Sequence, residues 1–286
     1  MDDAHKLPKK LIDEIHDVPP LPDVVVDVMR LTREPNTTAK QLTEIIAKDQ
    51  GLTGNVLRLC NSAYYGLPRT VSSLNQAIMY LGFHTVRNLV LTCSIHNFYN
   101  PKSEIYGYQN GGLWIHVLAC ARVSDLISTK LRMDLKDTAY TAGLLHDIGQ
   151  LIIGNQIEDT AETIVDMMLN GNMNELQAEE EVVGYTHCML GAAVADKWNF
   201  PTELVHAIQY HHTPNQSVKN IILTDIVHLA DSVVLAMGFG VALEQIKFSP
   251  QPGVLKTLGI DQAFVDTILV EAESIVKDEL NMMLDL

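Results

Sequence analysis

Cysteine is scarce and unpaired in this 286-residue chain: Cys60, Cys93, Cys120 and Cys188 stand far apart, each in an apolar segment. Such spacing argues against a disulfide framework or a zinc knuckle, both of which need clustered cysteines, and leaves four buried reduced thiols. Aromatic residues are only 6% of the chain while Leu, Ala, Ile and Met abound, a balance that favours helices over sheets. No apolar run approaches the roughly 18 residues of a membrane span. The start, Met1-Asp2-Asp3, is acidic and lacks the apolar core of a secretion signal. A cytoplasmic location with no membrane partner is therefore expected. Positive charge is also short. The formal net charge is −15, and an acidic surface repels phosphate backbones, which argues against nucleic acid as a partner.

What is present points to a folded helical protein. Hydrophobic residues reach 47% and charged ones only 19%, which excludes a disordered chain. The acidic excess is uneven: residues 1–100 hold ten basic and ten acidic residues, residues 101–286 ten and twenty-five. No segment sustains period-two alternation, so the fold class expected is all-α. Pro19-Pro20-Leu21-Pro22 leads into a helix with Val24, Val25, Val28, Met29 and Leu31 at helical spacing. Thr38 and Gln41 have the form of a capping box, Asp49 opens a third helix, and Gly82 stops a fourth begun at Ser73. Asn61 and Ser62 are read as tying backbone, and Tyr64 and Tyr65 as filling core. Residues 100–112 form a loop-rich boundary, so two domains are expected, 1–105 and 106–286.

In the second domain helices are expected over 113–131, 138–153, 175–183, 186–198, 202–210 and 217–237, with a last one capped by Asp261. The stretch Gly143-Leu144-Leu145-His146-Asp147-Ile148-Gly149-Gln150 sets an imidazole beside a carboxylate at the end of an apolar approach. That pair offers a neutral nitrogen ligand and an anionic oxygen able to bridge two cations. His187, adjacent His211 and His212, and Asp231 follow at helical positions, and His116 precedes. Two neighbouring histidines reach one ion only at a helix end, and Thr213-Pro214 supplies one.

Residues 19–95 resemble the HDOD family, the HD-related output domain of bacterial signalling proteins. The likeness is carried by Leu21-Pro22, by Ile46-Ala47-Lys48-Asp49-Gln50-Gly51-Leu52-Thr53, by Leu57-Arg58-Leu59-Cys60-Asn61-Ser62-Ala63-Tyr64 and by Ala77-Ile78-Met79-Tyr80-Leu81-Gly82. The family usually has Pro where Gln50 stands. Residues 113–235 resemble the HD superfamily of metal-dependent phosphohydrolases. The resemblance implies an N-terminal helical subdomain packed on an HD-type bundle. It also implies a ligand order met by His116, His146, Asp147, His187, His211, His212 and Asp231. By that likeness His116, His146, Asp147 and Asp231 hold one ion, and Asp147 bridges to a second held by His187, His211 and His212. A set so rich in imidazole suits two transition-metal ions, Fe, Mn or Zn, rather than Mg or Ca.

The branch of the superfamily that opens cyclic di-GMP has Lys after His-Asp-x-Gly, an acidic residue after the His pair, and a Gly-Tyr-Pro motif. This chain has Gln150, Thr213-Pro214-Asn215 and no Gly-Tyr-Pro. Lys197 and Arg122 are the basic residues that offer a substitute phosphate anchor. The expectation is an HDOD-type signal-transduction output protein with a di-metal HD site and weak or no turnover, its input coming from a separate protein, a ligand or the metal itself, and its partner a signalling protein or a small nucleotide. The alternative is a phosphohydrolase or phosphodiesterase acting on a small nucleotide, with His146 and Asp147 at its catalytic centre. Of the other histidines, His206 and His228 are candidates for supporting the ligands. His84 and His96 have no partner carboxylate nearby in sequence, and His5 and His16 read as surface residues.

Overall fold

A computed structural model of the chain describes residues 11, 15–16, 18–96, 98, 112–156, 160–171, 173–239 and 250–283. All regular structure among the described residues is helical. The chain forms two compact units, Leu21–Asn100 with Val270–Leu286 and Met1–Pro20 with Pro101–Leu269. Each unit thus draws on two stretches of chain, where the sequence suggested a single cut at 105/106. The expected loop at 100–112 falls almost wholly outside the described residues, as do His5, Gly240 and Ser249.

The smaller unit is assembled by its caps. Helix α1 (Asp23–Leu31) follows Pro22 and buries Val25, Val28, Met29 and Leu31. Helix α2 (Ala39–Ile46) opens with the expected capping box: Gln41 N–H donates to Thr38 Oγ1 at 3.3 Å, and Thr38 N–H to Gln41 Oε1 at 2.8 Å. Helix α3 (Gln50–Cys60) is capped by Asp49, whose Oδ1 accepts from Leu52 N–H at 2.9 Å. Gln50 is therefore the first helical residue, where proline is tolerated because the N–H has no intrahelical partner. That explains why Gln and Pro interchange there. Asn61 ties α3 to the following segment, its Nδ2 donating to Leu57 O and Val71 O and its Oδ1 accepting from Val71 N–H at 2.6 Å. Tyr64 and Tyr65, expected in the core, are only half-buried and meet edge to face at 4.9 Å. Helix α4 (Leu74–His96) is interrupted at Gly82, whose φ of 81° suits glycine alone.

The larger unit is a bundle. Its helices are α5 (Gly112–Lys130), α6 (Lys136–Leu145), α7 (Ile148–Gln156), α8 (Thr160–Asn170), α9 (Glu175–Val182), α10 (His187–Lys197), α11 (Thr202–Tyr210), α12 (Ile221–Ala236) and α13 (Val254–Leu258). The first turns of α14 (Gln262–Met283) complete it. Helix α6 packs on α5, α11 and α12, and α10 packs on α7 and α11. Helix α12 is largely apolar and is buried from Leu223 to Val234, so that its Asp225, His228 and Asp231 lie inside the unit. Two glycines let backbones touch: a Cβ on Gly143 would lie 2.6 Å from Cys120 O, and one on Gly149 would fall on the carbonyl of His187.

One expected helix is two. The segment 138–153 breaks at His146-Asp147, between α6 and α7, where Gln150 N–H reaches Asp147 O at 3.0 Å in a tighter turn. In the larger unit every helix that bears a candidate ligand is anchored near that break. None of the described helices is long and apolar enough to cross a membrane.

Candidate metal centre

The seven residues meet. Asp147 lies at the middle, 2% exposed, and its two oxygens face different neighbours. Oδ2 is 3.1 Å from His146 Nε2 and 3.5 Å from His116 Nε2, which is itself 3.2 Å from Asp231 Oδ1. Oδ1 is 3.4 Å from His187 Nε2 and 3.3 Å from His211 Nε2. His212 stands at the edge, Nδ1 3.9 Å from Asp231 Oδ2, with 24% of its side chain exposed. The other six are buried.

Local structure aims each imidazole. His146 Nδ1 is 2.8 Å from Gly143 O, and His211 Nδ1 is 2.7 Å from Ile208 O, so in both rings Nδ1 carries the proton and Nε2 keeps a lone pair. Helix α10 starts from Thr186, whose Oγ1 accepts from Met189 N–H, and this sets His187 in the first turn. The buried carboxylate of Glu179 then takes the His187 backbone N–H at 2.8 Å and its Nδ1 at 2.8 Å. Histidine ligands commonly hold a carbonyl or carboxylate on the far nitrogen in this way, which fixes the tautomer and raises ligand basicity. The loop after α12 braces the doublet, since Gln251 Nε2 donates to His212 O at 2.7 Å. His228 does not orient Asp231. It donates from Nδ1 to His211 O at 2.7 Å and accepts Gln251 N–H at 2.8 Å, a neutral ring locked into backbone. His206 meets the Tyr210 ring edge to face at 5.9 Å, and His16 is exposed.

This arrangement asks for positive charge. His187 Nε2 and His211 Nε2 are 3.4 Å apart. With Nδ1 protonated on each, two lone pairs and a carboxylate oxygen confront one another. His146 Nε2, Asp147 Oδ1 and His212 Nε2 have no hydrogen-bond partner, and each such buried atom costs about 1–3 kcal/mol. Donors held about 2.0–2.2 Å from one cation lie about 3.0–3.5 Å from each other, the range found around His116, His146, His187 and His211, with His212 farther out. The residues present therefore fit a metal.

The electrostatics agree in direction. Burial opposes ionisation of Asp147, yet His146, His211 and His187 hold its carboxyl well below the usual range. Asp231 is lowered against the same opposition by His116, His212 and His146. Burial works against protonation of His187 and His211, but Cys188 acts on both rings, with Glu179 beside His187 and Asp147 beside His211, and both are raised. A proton and a cation are alternative ways to satisfy that crowd. His212 is lowered by burial and by the neighbouring imidazoles.

Sequence reading missed four members of the site. Glu175 and Glu179 sit on an acidic helix that reads as solvated surface, yet Glu179 is fully buried and Glu175 is pushed up to about 8 by burial. The spacing of Glu179, eight residues before His187, carries no helical signal, because a turn intervenes. Cys120 Sγ lies 3.6 Å from His116 Nε2, and Cys188 Sγ 3.4 Å from His187 Nε2. Burial would raise the Cys188 thiol, but His187 and His211 bring it down to about 7. The i, i+4 offset of Cys120 from His116 was the one available clue.

The suggested phosphate anchors lie elsewhere. Lys197 Nζ donates to Ile15 O at 2.8 Å and Val18 O at 2.7 Å, capping the N-terminal segment, and the Arg122 guanidinium lies over the Tyr140 ring at 5.1 Å. Gln150, buried where the cyclic-di-GMP branch has Lys, donates from Nε2 to Glu175 Oε1 at 2.7 Å.

The model of the HDOD domain matches residues 18–214, more than half of the chain. The chain belongs to the HDOD family. This HDOD protein is 26% identical to an HDOD domain protein of unknown function from Geobacter sulfurreducens. That structure superimposes with a TM-score of 0.76, covering 95% of this chain and 96% of the other. A candidate signal transduction protein from Marinobacter aquaeolei VT8 shares the fold at a TM-score of 0.80 and 21% identity, covering 98% of this chain and 62% of that one. Among curated proteins, an uncharacterized protein of Treponema pallidum (strain Nichols) is 21% identical over 213 residues, 72% of this chain and 40% of its own length. The chain spans less than half the length of the curated relatives it matches.

Proposed function

We propose that this HDOD protein is a signal-transduction output module whose larger unit holds a two-ion transition-metal centre, with weak or no turnover. The observation that carries the reading is the divided Asp147 carboxylate, Oδ2 toward His116 and His146 and Oδ1 toward His187 and His211. A single carboxylate shared between two nitrogen sets is what a bridged pair of ions requires. His116, His146 and Asp231 would hold one ion, and His187, His211 and His212 the other, with Fe, Mn or Zn suited to such donors. A closed shell of protein ligands marks a structural or sensory site, whereas a catalytic one keeps a position open. Six of the seven residues are buried, and a Gln150–Glu175 pair stands where an ammonium would anchor phosphate. A separate signalling protein would receive the output, in the cytoplasm.

One observation favours the second reading, a metal-dependent phosphohydrolase or phosphodiesterase for a small nucleotide. His212 and Glu175 are each about a quarter exposed, 24% and 23%, and so give the centre a mouth to solvent. A bound cation pair would supply Lewis acidity there, and the residues around it would orient a phosphate ester and shield it from bulk water. Metal analysis of the purified protein together with a nucleotide panel separates the readings. Close to two ions per chain without phosphate release supports the module. Turnover that Asp147→Asn abolishes supports the hydrolase. A chain that retains no transition metal sinks both.

A further inference from the structure

We infer that Cys188 is itself a metal ligand, its Sγ joining His187 and His211 on the Oδ1 side of Asp147. The inference deepens the proposed centre and rests on it. Cys188 is buried, and its Sγ lies 3.4 Å from His187 Nε2, the nitrogen that faces Asp147 Oδ1. The donor atoms of His187, Cys188, His211 and His212 all fall within 4.8 Å of one another. Neighbouring residues in mid-helix point about 100° apart and cannot serve one ion. His187 and Cys188 occupy the first turn of α10, where the chain enters from Thr186 and Glu179 pins the His187 ring.

A second observation, independent of the thiol, points to a ligand at this place. Asp147 Oδ1 belongs to a side chain 2% exposed and lacks any hydrogen-bond partner, while His187 Nε2 and His211 Nε2 face it at 3.4 Å and 3.3 Å. A thiol S–H given to His187 Nε2 would satisfy one lone pair and leave that oxygen unchanged. A cation satisfies the oxygen and both nitrogens together, and a sulfur at about 2.3 Å and a nitrogen at about 2.0 Å from one ion sit about 3.4–3.6 Å apart. Binding replaces the S–H bond by a metal–sulfur bond and releases the proton to solvent.

The chemical consequence is selectivity. A thiolate among imidazoles favours Zn or Co over Mn at that position, whereas the half around His116 and Asp231 has two carboxylates and harder character. Cys120 stands with His116, His146 and Asp231 in the other half of the centre, so Cys93, buried in the smaller unit, is the internal control.

Cobalt(II) tests this on the full chain. Bound cobalt is counted first, and then the near-ultraviolet thiolate-to-cobalt charge-transfer absorption is recorded. The wild type should show the band, C188S should lose it, and C93S should keep it. Zinc affinity of C188S should fall by at least the roughly tenfold that disturbing even an outer partner of a ligand costs, with manganese affinity unchanged. If C188S does not fold, zinc-edge X-ray absorption of the wild type decides, since a sulfur scatterer near about 2.3 Å is required. Cobalt retained without the band, or a band that survives C188S, overturns the thiolate and leaves the metal centre standing. No retained cobalt overturns the centre and the thiolate together.

Discussion

The two units treat their polar groups in opposite ways. In the smaller one, Thr38, Gln41, Asp49 and Asn61 each close on backbone groups, although the Ser62 hydroxyl, expected to tie backbone, and that of Thr43 are buried without a hydrogen-bond partner. In the larger one, Asp147, His146 and His212 are gathered, turned toward one another, and left with atoms that no protein donor meets. The first pattern is that of a packing unit whose polar groups serve mainly its own backbone. The second is a cluster of donors whose spacing could hold a cation.

The largest effect expected is from Asp147→Asn. It removes the shared anion, and retained metal should fall from about two ions per chain to well below one by elemental analysis. Equal metal content in variant and wild type would break the contrast between the units. Gly149→Ala is next. A methyl there falls on the His187 carbonyl, and overpacking of this kind costs about 1–3 kcal/mol. Denaturant unfolding should show that loss, and metal affinity should drop with it because α7 and α10 are forced apart. Asn61→Ala sharpens the other side: it should cost about 1–2 kcal/mol through lost backbone bonds with metal content unchanged.

The smallest effect concerns pH. Burial pushes the Asp225 carboxyl on α12 up to about 6, despite a hydrogen bond from Thr257. A raised carboxyl binds its proton more tightly in the folded chain, so its contribution is full below about pH 4 and is lost as pH rises through about 6. Asp225→Asn should remove that decline and leave the protein more stable at pH 7–8 by about 1–2 kcal/mol. Urea midpoints across pH 4–8 measure it. An unchanged pH slope would mean that Asp225 titrates normally.

Short-range chemistry was legible residue by residue. The Thr38–Gln41 capping box, the Asp49 and Asp261 caps and the Gly82 interruption stand as read from the chain. Such signals act within one turn, so neighbours in sequence suffice to reveal them. The break at His146-Asp147 was not visible, because its flanks are equally apolar and the turn is imposed by packing on α10 and α12. Tyr64 and Tyr65 looked like core on composition, yet burial depends on what lies opposite a side chain. Lys197 looked available to a phosphate until the backbone of residues 15–18 proved to hold it.

By itself, then, the sequence determined that the protein is all-helical, acidic and within the HDOD pattern, and it named the seven groups that could share a cation. Helical periodicity, caps and residue order are local properties, so they survive in a linear string. Only the tertiary structure decided that Asp147 turns one oxygen to each set of imidazoles, that Glu179 holds His187, and that two thiols adjoin the centre. Those facts depend on contacts between helices, at distances of 3–4 Å that no spacing along the chain encodes.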